Sequence, residues 1–231
     1  MTVKKQELTH GLLTGPFETP FEELPESLPV FPLPGGMLLP HGRIPLNFYE
    51  PRYLSMVLDS LKQGRFIGMV QPLEVLPDPL PTTSKLFHIG CVGRIIAFAE
   101  CEDGRIVITL QGICRFKIER ELKVDKPYRE IQPDFREFMQ DTTLDNPGIN
   151  RNALMNNLRK YLALKGVDVD WEGLEKIEDR PLVAMLGMMN TFDYVEKQAI
   201  LEAHNLSNMV DVMNSLMEME LASGGDAKTK H

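Results

Sequence analysis

Two spacings of hydrophobic residues divide this chain. In residues 28–135, short apolar runs and the alternation at residues 106–111 predict β-strands. In residues 136–222 the spacing changes to about 3.6 residues, which places Leu154 and Leu158 on one helical face. The pattern therefore predicts an α+β protein, with a β half followed by a helical half of four or five short helices.

The longest predicted strands form a hairpin. The stretch "IGCVGRIIAFAECEDGRIVITLQGICRFKIERELK" is strand-like on both sides of a turn at Glu102–Arg105, and Phe66–Gln71 reads as a buried strand before it. Gly90, Gly93 and Gly112 interrupt these strands, as glycines do at the bulges and bends of a closed barrel.

The stretch "FPLPGGMLLPHGRIPLNFYEPRY", residues 31–53, combines core-type residues with five prolines. Because proline has no backbone N–H, we expect short strands with proline corners here and no strand in the interior of a sheet. Pro51 fits the first position of an embedded helix, and Gly64 fits its end. The apolar face predicted for this helix consists of Leu54, Val57, Leu58 and Leu61.

Helix starts in the second half are marked by capping residues. We expect caps at Asp170, at Asp179, at Asp193 with Glu196 as an acidic capping box, and at Ser207.

The two ends show no sustained period. Residues 1–27 are predicted to be a flexible arm, with Phe17 and Phe21 packing onto the body, and residues 223–231 a frayed tail.

Composition and charge narrow the function classes. Residues 28–135 hold 13 Lys and Arg against 12 Asp and Glu, whereas residues 136–231 hold 10 against 16, so the chain is acidic overall. This balance argues against non-specific nucleic-acid binding. No apolar run is long enough for a membrane span, no secretory signal is evident, and the three cysteines, which lack CxxC spacing, are expected to be buried thiols. We therefore expect a cytoplasmic protein.

Catalytic signatures are absent from the sequence. It contains no GxxxxGK[ST], GxSxG or HExxH motif and no helix-opening GxGxxG, and the five histidines show no metal-ligand spacing with cysteine. We expect no metal and no cofactor. An enzyme acting on a small molecule at the mouth of the barrel stays open as a hypothesis.

Several ordered motifs resemble a known family. Phe31–Pro32–Leu33–Pro34, the Pro45–Leu46 step, Glu50–Pro51–Arg52–Tyr53, "GCVGRI" at 90–95 and "GICRF" at 112–116 resemble the N-terminal substrate-binding domain of Lon-type ATP-dependent proteases. The chain is most similar to stand-alone bacterial proteins built from that domain, over about residues 28–220. The resemblance implies a PUA-like pseudo-barrel at 28–135, a helical subdomain at 136–222, and recognition of unfolded or degron-bearing polypeptides. Because the P-loop and the serine–lysine signature of the full protease are missing, we expect a non-catalytic module, an adaptor or a chaperone-like protein that works alone or with a Lon-type protease.

Binding residues are predicted from motif positions and from methionine content. Nine of the 13 methionines follow residue 138, and flexible methionine side chains suit promiscuous apolar contacts, although they also serve as core filler. The predicted polypeptide-binding residues, in a groove between barrel and bundle, are Phe31, Pro32, Arg52, Arg94, Met185, Met188 and Met189. Of these, Arg52 is expected to be exposed, whereas Tyr53 and Leu54 beside it are expected in the core.

The alternative from another class is RNA binding, because PUA-like barrels also bind RNA. Arg94, Arg115, Lys117 and Arg120 would then contact phosphates. The sequence leaves the oligomeric state open.

Overall fold

The computed structural model describes residues 19–74, 80–143 and 148–228. The strands are β1 (Leu28–Pro32), β2 (Arg43–Phe48), β3 (Phe66–Val70), β4 (Ile89–Glu100), β5 (Ile106–Leu122) and β6 (Glu130–Asp134). The helices are α1 (Pro51–Lys62), α2 (Arg151–Lys165), α3 (Trp171–Lys176), α4 (Asp179–Gly187), α5 (Tyr194–Glu202) and α6 (Leu206–Lys228), with 3-10 helices at Phe21–Glu23 and Arg136–Thr142. The predicted α+β class, with an embedded helix and five later α-helices, is confirmed.

The six strands form one sheet in the order β2-β5-β4-β3-β1-β6, and a further pairing of β6 with β5 closes it. Closure is achieved because β5 is 17 residues long. Its first part, residues 106–111, pairs with β2, and its last part, residues 117–122, pairs with β6. The closed ring therefore contains five strands, and β2 lies outside it on β5.

Strand β1 begins before the proline-rich stretch, and only Phe31 and Pro32 of that stretch belong to it. These two residues pair with β3 alone, as expected of residues outside the sheet interior. Strand β1 as a whole lies between β3 and β6, although it contains Pro29 and Pro32. The two pairings use different residues: β6 pairs with Leu28 and Pro29, whereas β3 pairs with Val30–Pro32. Each proline therefore needs only one neighbour, and Phe31 and Pro32 lie beyond the end of the β6 pairing.

One of the two bulges in the long hairpin lies at Gly93 and Gly112, where glycines were expected to bend the strands, whereas the other has no glycine and Gly90 lies in regular pairing. The β4–β5 register shifts between Val92 and Gly93 and again between Ile95 and Ala97. A Cβ on Gly112 would lie 2.1 Å from the backbone oxygen of Leu39. Glycine is therefore required where the segment before β2 crosses β5.

Helix α1 begins at Pro51 as predicted, but its buried face is different. The buried residues are Tyr53, Met56, Val57 and Ser60. Leu58, expected in the core, is 44% exposed. The buried face differs from the predicted one because the Tyr53 ring packs edge-on against Phe31, with 4.8 Å between ring centroids. Ser60 is tolerated inside because its hydroxyl donates to the carbonyl oxygen of Met56 at 2.8 Å.

Two of the four predicted helix caps in the helical half are observed. Asp170 caps α3, and Asp193 with Glu196 forms the capping box of α5. Helix α4 starts at Asp179 itself, after Glu178, and α6 starts at Leu206, where Asn205 accepts from the Asn208 amide. The Asn205 side chain thus accepts a hydrogen bond from a free amide of the first turn, as an N-cap does, and Ser207 lies inside α6.

The two ends meet their predictions only in part. Residues 1–18, with Phe17, and residues 229–231 lie outside the described residues. Thr19 is buried, and Phe21 packs against the barrel core as expected. Helix α6 continues to Lys228, into the segment predicted as tail.

Two clusters of buried side chains hold the fold together. One lies within the barrel and includes Val30, Val92 and Phe116. The larger cluster joins both halves, because strand residues such as Ile108 belong to it together with helix residues such as Ile200. The helical half therefore packs on the barrel through a shared core.

The close approach at Gly112 can be tested against Gly104, which has φ +84° but open space around it. G112A should lower the free energy of unfolding by about 3 kcal/mol through overpacking. G104A should cost only about 1 kcal/mol, from its positive φ. Urea unfolding measures both, and equal losses would contradict the contact between Leu39 and β5.

Candidate functional site

A buried arginine fixes the junction between the two halves. Arg115 on β5 is fully buried, and its Nε and Nη2 donate to the two carboxylate oxygens of Asp141 at 2.8 and 2.9 Å. Its Nη1 donates to the carbonyl oxygens of Leu201, at 3.2 Å, and Ala203. The guanidinium also lies over the Phe138 ring, 4.3 Å from its centroid. The RNA hypothesis placed Arg115 on a phosphate-binding surface, and that placement is wrong because every side of this group is occupied by the protein.

Further polar contacts cross the junction. Gln71, after β3, donates to the Gln198 side chain at 3.0 Å, and Gln198 donates to the Ile89 carbonyl at 3.3 Å. Lys197 donates to the carbonyl of Gly35 at 3.0 Å, and burial lowers the pKa of this lysine. Helix α5 is thus held to the barrel by side chains that are themselves buried.

A groove of about 550 Å³ lies beside this junction, where a groove between barrel and bundle was predicted. We call it the junction groove. Its wall is mixed, with Leu39, Val183 and Ala184 on the apolar side and Arg180 and His204 on the polar side. Met209 also lines it, but Met185, Met188 and Met189 do not.

The late methionines divide between core and surface. Four of them are buried: Met155, Met209, Met213 and Met217. Met185 is 37% exposed, whereas Met188 and Met189 are partly buried against the large cluster. Core filling therefore accounts for several of them, and Met185 is the most accessible of the three predicted contacts.

Phe31 and Pro32 line a second depression, the aromatic groove, of about 300 Å³. Phe31 packs edge-on against Phe48, with 4.8 Å between ring centroids, so most of its ring serves the core. Tyr53 is buried as expected. Arg52 was expected to be exposed, but its side chain is largely covered, pairs with Glu50 and lies over the Tyr53 ring.

The remaining predicted basic residues are dispersed. Arg94 lies in β4 opposite Phe66 and Gln111 and lines neither groove. Lys117 and Arg120 are exposed, and Arg120 donates to the Gln132 side chain at 2.8 Å. With Arg115 inside the protein, the four basic residues of the RNA hypothesis form no common surface.

One exposed segment was missed by the sequence analysis. Residues 96–100 at the end of β4, which we call the open edge, are exposed although they form a strand. Ile96 is 41% exposed and Phe98 is 54% exposed. A signal was present in "IIAFAE", which is apolar at nearly every position and lacks the alternation of a strand with one wet face.

The described residues hold neither a candidate metal site nor a membrane-spanning helix. In residues 19–74, 80–143 and 148–228, no group of three His, Cys, Asp or Glu side chains could hold a metal ion. Nor does any helix there have the length and apolarity to cross a membrane. Cys91 and Cys114 are buried as expected, and burial raises the pKa of both thiols. The same expectation is wrong for Cys101, which is partly exposed next to the hairpin turn.

The comparison with protein families decides the relationship. The family model for the substrate-binding domain of the ATP-dependent protease La (Lon) matches residues 27–219. The chain belongs to this family. The resemblance inferred from its motifs is thereby confirmed.

Curated relatives and solved structures agree with this membership. The chain is 34% identical over 107 residues to a Lon protease of Flavobacterium johnsoniae, a match covering 46% of this chain and 13% of that protein. It is 26% identical over 204 residues to Lon protease 2 of Myxococcus xanthus, covering 85% of this chain and 24% of the relative. The chain thus spans about a quarter or less of these curated relatives.

Two solved structures share the fold. A Lon N-terminal domain protein from Xanthomonas campestris matches with a TM-score of 0.56 and 21% identity, covering 82% of this chain and 97% of that one. The N-terminal domain of a Mycobacterium avium complex Lon protease matches with a TM-score of 0.59 and 12% identity, covering 83% and 98%. The comparisons lend no support to RNA binding.

The Arg115–Asp141 pair should dominate stability at the junction. R115M leaves a buried carboxylate without its partner and should lower the free energy of unfolding by about 3–5 kcal/mol. R120M, at an exposed position on the same strand, should cost less than about 0.5 kcal/mol. Urea unfolding of both variants measures the difference.

The double variant R115M/D141L separates charge from packing. It removes both buried charges and should recover most of the loss of R115M, since apolar replacements of a buried pair are often neutral. Equal stability of R115M and R120M would contradict the buried contacts of Arg115.

Proposed function

We propose that this chain is a non-catalytic polypeptide-recognition module that binds unfolded or degron-bearing polypeptides. The observation that carries the proposal is the match of residues 27–219 to a substrate-binding domain. In this proposal the chain acts as an adaptor or chaperone-like protein in protein quality control in the cytoplasm, alone or with a Lon-type protease.

The exposed apolar side chains support weak and sequence-tolerant contacts. Met185, Ile96 and Phe98 offer apolar area to a partner in addition to the two grooves. Each Å² of apolar surface buried on binding contributes about 25 cal/mol. An unfolded partner loses conformational entropy when it is ordered, so we expect a Kd in the micromolar range.

The first experiment titrates this chain into a labelled, permanently unfolded polypeptide and follows fluorescence anisotropy at low and high salt. Saturable binding that changes little with salt is expected, because apolar burial is insensitive to screening. Absence of binding by the wild-type chain would refute the proposed function. Binding lost at moderate salt would point to an electrostatic ligand and would contradict the apolar mode.

The predicted role of Met185 is tested with a matched methionine. M185K should weaken binding roughly fivefold, which corresponds to losing part of one methionine's apolar burial. M219K alters a more exposed methionine, 67% accessible on α6, and should leave the affinity unchanged. Equal affinities of the two variants would remove α4 from the binding surface.

A further inference from the structure

The open edge has a neighbouring strand on one side only. Residues 97–100 of β4 pair with residues 106–109 of β5, whereas the pairing of β3 with β4 ends at Phe66 and Arg94. In the part of the chain that the structure describes, no strand pairs with the outer side of residues 96–100. Strand β3 begins only at Phe66, because Gly64 and Arg65, both with positive φ, turn the chain as it arrives from α1.

The directions of the backbone groups along this edge follow from two hydrogen bonds. The Ile95 amide donates outward, to the Arg65 carbonyl at 2.8 Å, and the Cys101 amide donates inward, to the Arg105 carbonyl at 2.8 Å. The register shift between Ile95 and Ala97 makes Ile96 the extra residue of a bulge. In an antiparallel ladder the direction alternates, so Ala97 faces β5, and Phe98 and Glu100 direct their N–H and C=O groups outward.

This edge lacks the features that usually protect one. Natural edge strands are blocked by proline, lysine, inward charges or a covering element. The open edge has neither proline nor lysine, and Glu100 is its only charged residue. Its exposed Phe98 is paired with the buried Ile108, so an added strand would extend an existing apolar face.

We propose that an extended segment of a client polypeptide adds as a strand to the open edge, in line with β3. Its backbone would bond to the outward groups of Phe98 and Glu100, and one of its apolar side chains would pack on Phe98. This inference rests on the proposed function and names how and where the client binds.

The charge at the hairpin tip specifies the client further. Glu100 and Glu102 lie at the tip, and the nearby Asp103 is paired with Arg105 at 2.7 Å. The resulting excess of negative charge favours a client with a lysine or arginine beside its apolar residues. Backbone pairing tolerates many sequences, because every polypeptide carries the same backbone groups. It also favours unfolded clients, because only these offer a run of unpaired amides.

The test uses a labelled peptide of about ten residues, long enough for the roughly 17 Å of the open edge. It alternates apolar and polar residues and carries one lysine. A second peptide has the same sequence but is N-methylated along its central residues, which removes backbone donors and keeps the side chains. The wild-type chain should bind the first peptide saturably and the N-methylated one at least tenfold more weakly.

Variants of the chain test the same contact from the other side. F98P removes the outward N–H together with the phenyl ring but leaves the inward groups that pair with β5, so it should weaken binding at least fivefold. F98K replaces the apolar contact with a positive charge and should do the same for the lysine-bearing peptide. V195K alters an exposed apolar residue on α5 and should bind within twofold of wild type. Circular dichroism and urea unfolding verify that each variant is folded, and F98K keeps the test available if F98P is not.

The outcomes distinguish the two proposals. Wild-type affinity in both Phe98 variants, with binding of unfolded polypeptide retained, would overturn the open edge alone. No binding of any unfolded polypeptide by the wild-type chain would refute the proposed function and this inference with it. A dimer in light scattering that disappears in F98P would show that a second copy occupies the edge, and would overturn the assignment to a client.

Discussion

The arrangement of the two halves depends on one buried guanidinium. Arg115 extends from the middle of β5 and contacts Asp141 in the 3-10 helix Arg136–Thr142 and the carbonyls at the end of α5. Burying a charge without partners is very costly, so these contacts must form together or the packing fails. Because the planar guanidinium donates in fixed directions, it sets the position of α5 on the barrel. The junction groove lies beside this fixed point and takes its shape from it.

Strand β5 is the second constraint, and it determines which edges stay open. It pairs with β4 along its length, with β2 near its start and with β6 near its end. The end of β4 therefore projects beyond the ring together with the start of β5 and with β2. Ring closure protects the edges of most strands but leaves the outer side of residues 96–100 unpaired among the described residues. The same geometry that closes the barrel thus creates an accessible edge.

Sequence patterns predicted the features that local chemistry decides. The embedded helix with Pro51 at its start, the alternation in β5 and the capping box at Asp193 depend on neighbours within a few residues. The burial of Arg115 was missed because its partners lie 26 to 89 residues away. In the sequence, Arg115 belongs to a charged run, residues 115–129, whose pattern is typical of a solvent-exposed strand face.

Other misses have the same cause. The buried face of α1 differs from the predicted one because the Tyr53 ring packs on Phe31 of strand β1. Arg52 is covered because it pairs with Glu50 and lies over the Tyr53 ring. The open edge could not be located because its exposure depends on where β3 begins. Four of the predicted contact residues, Phe31, Pro32, Arg52 and Arg94, were chosen from motifs, and motifs mark core positions such as Phe31 as readily as surfaces.

The long separation between Arg115 and its partners also has a consequence for synthesis. The Ala203 carbonyl follows Arg115 by 88 residues, and at ribosomal rates of 5–20 residues per second this is a delay of roughly 4–18 s. Arg115 therefore emerges from the ribosome that much earlier than Ala203, and until α5 follows, the guanidinium has no partner from this helix. Because an unpaired buried charge is costly, we expect this side chain to stay hydrated in the nascent β half until the helices have been translated.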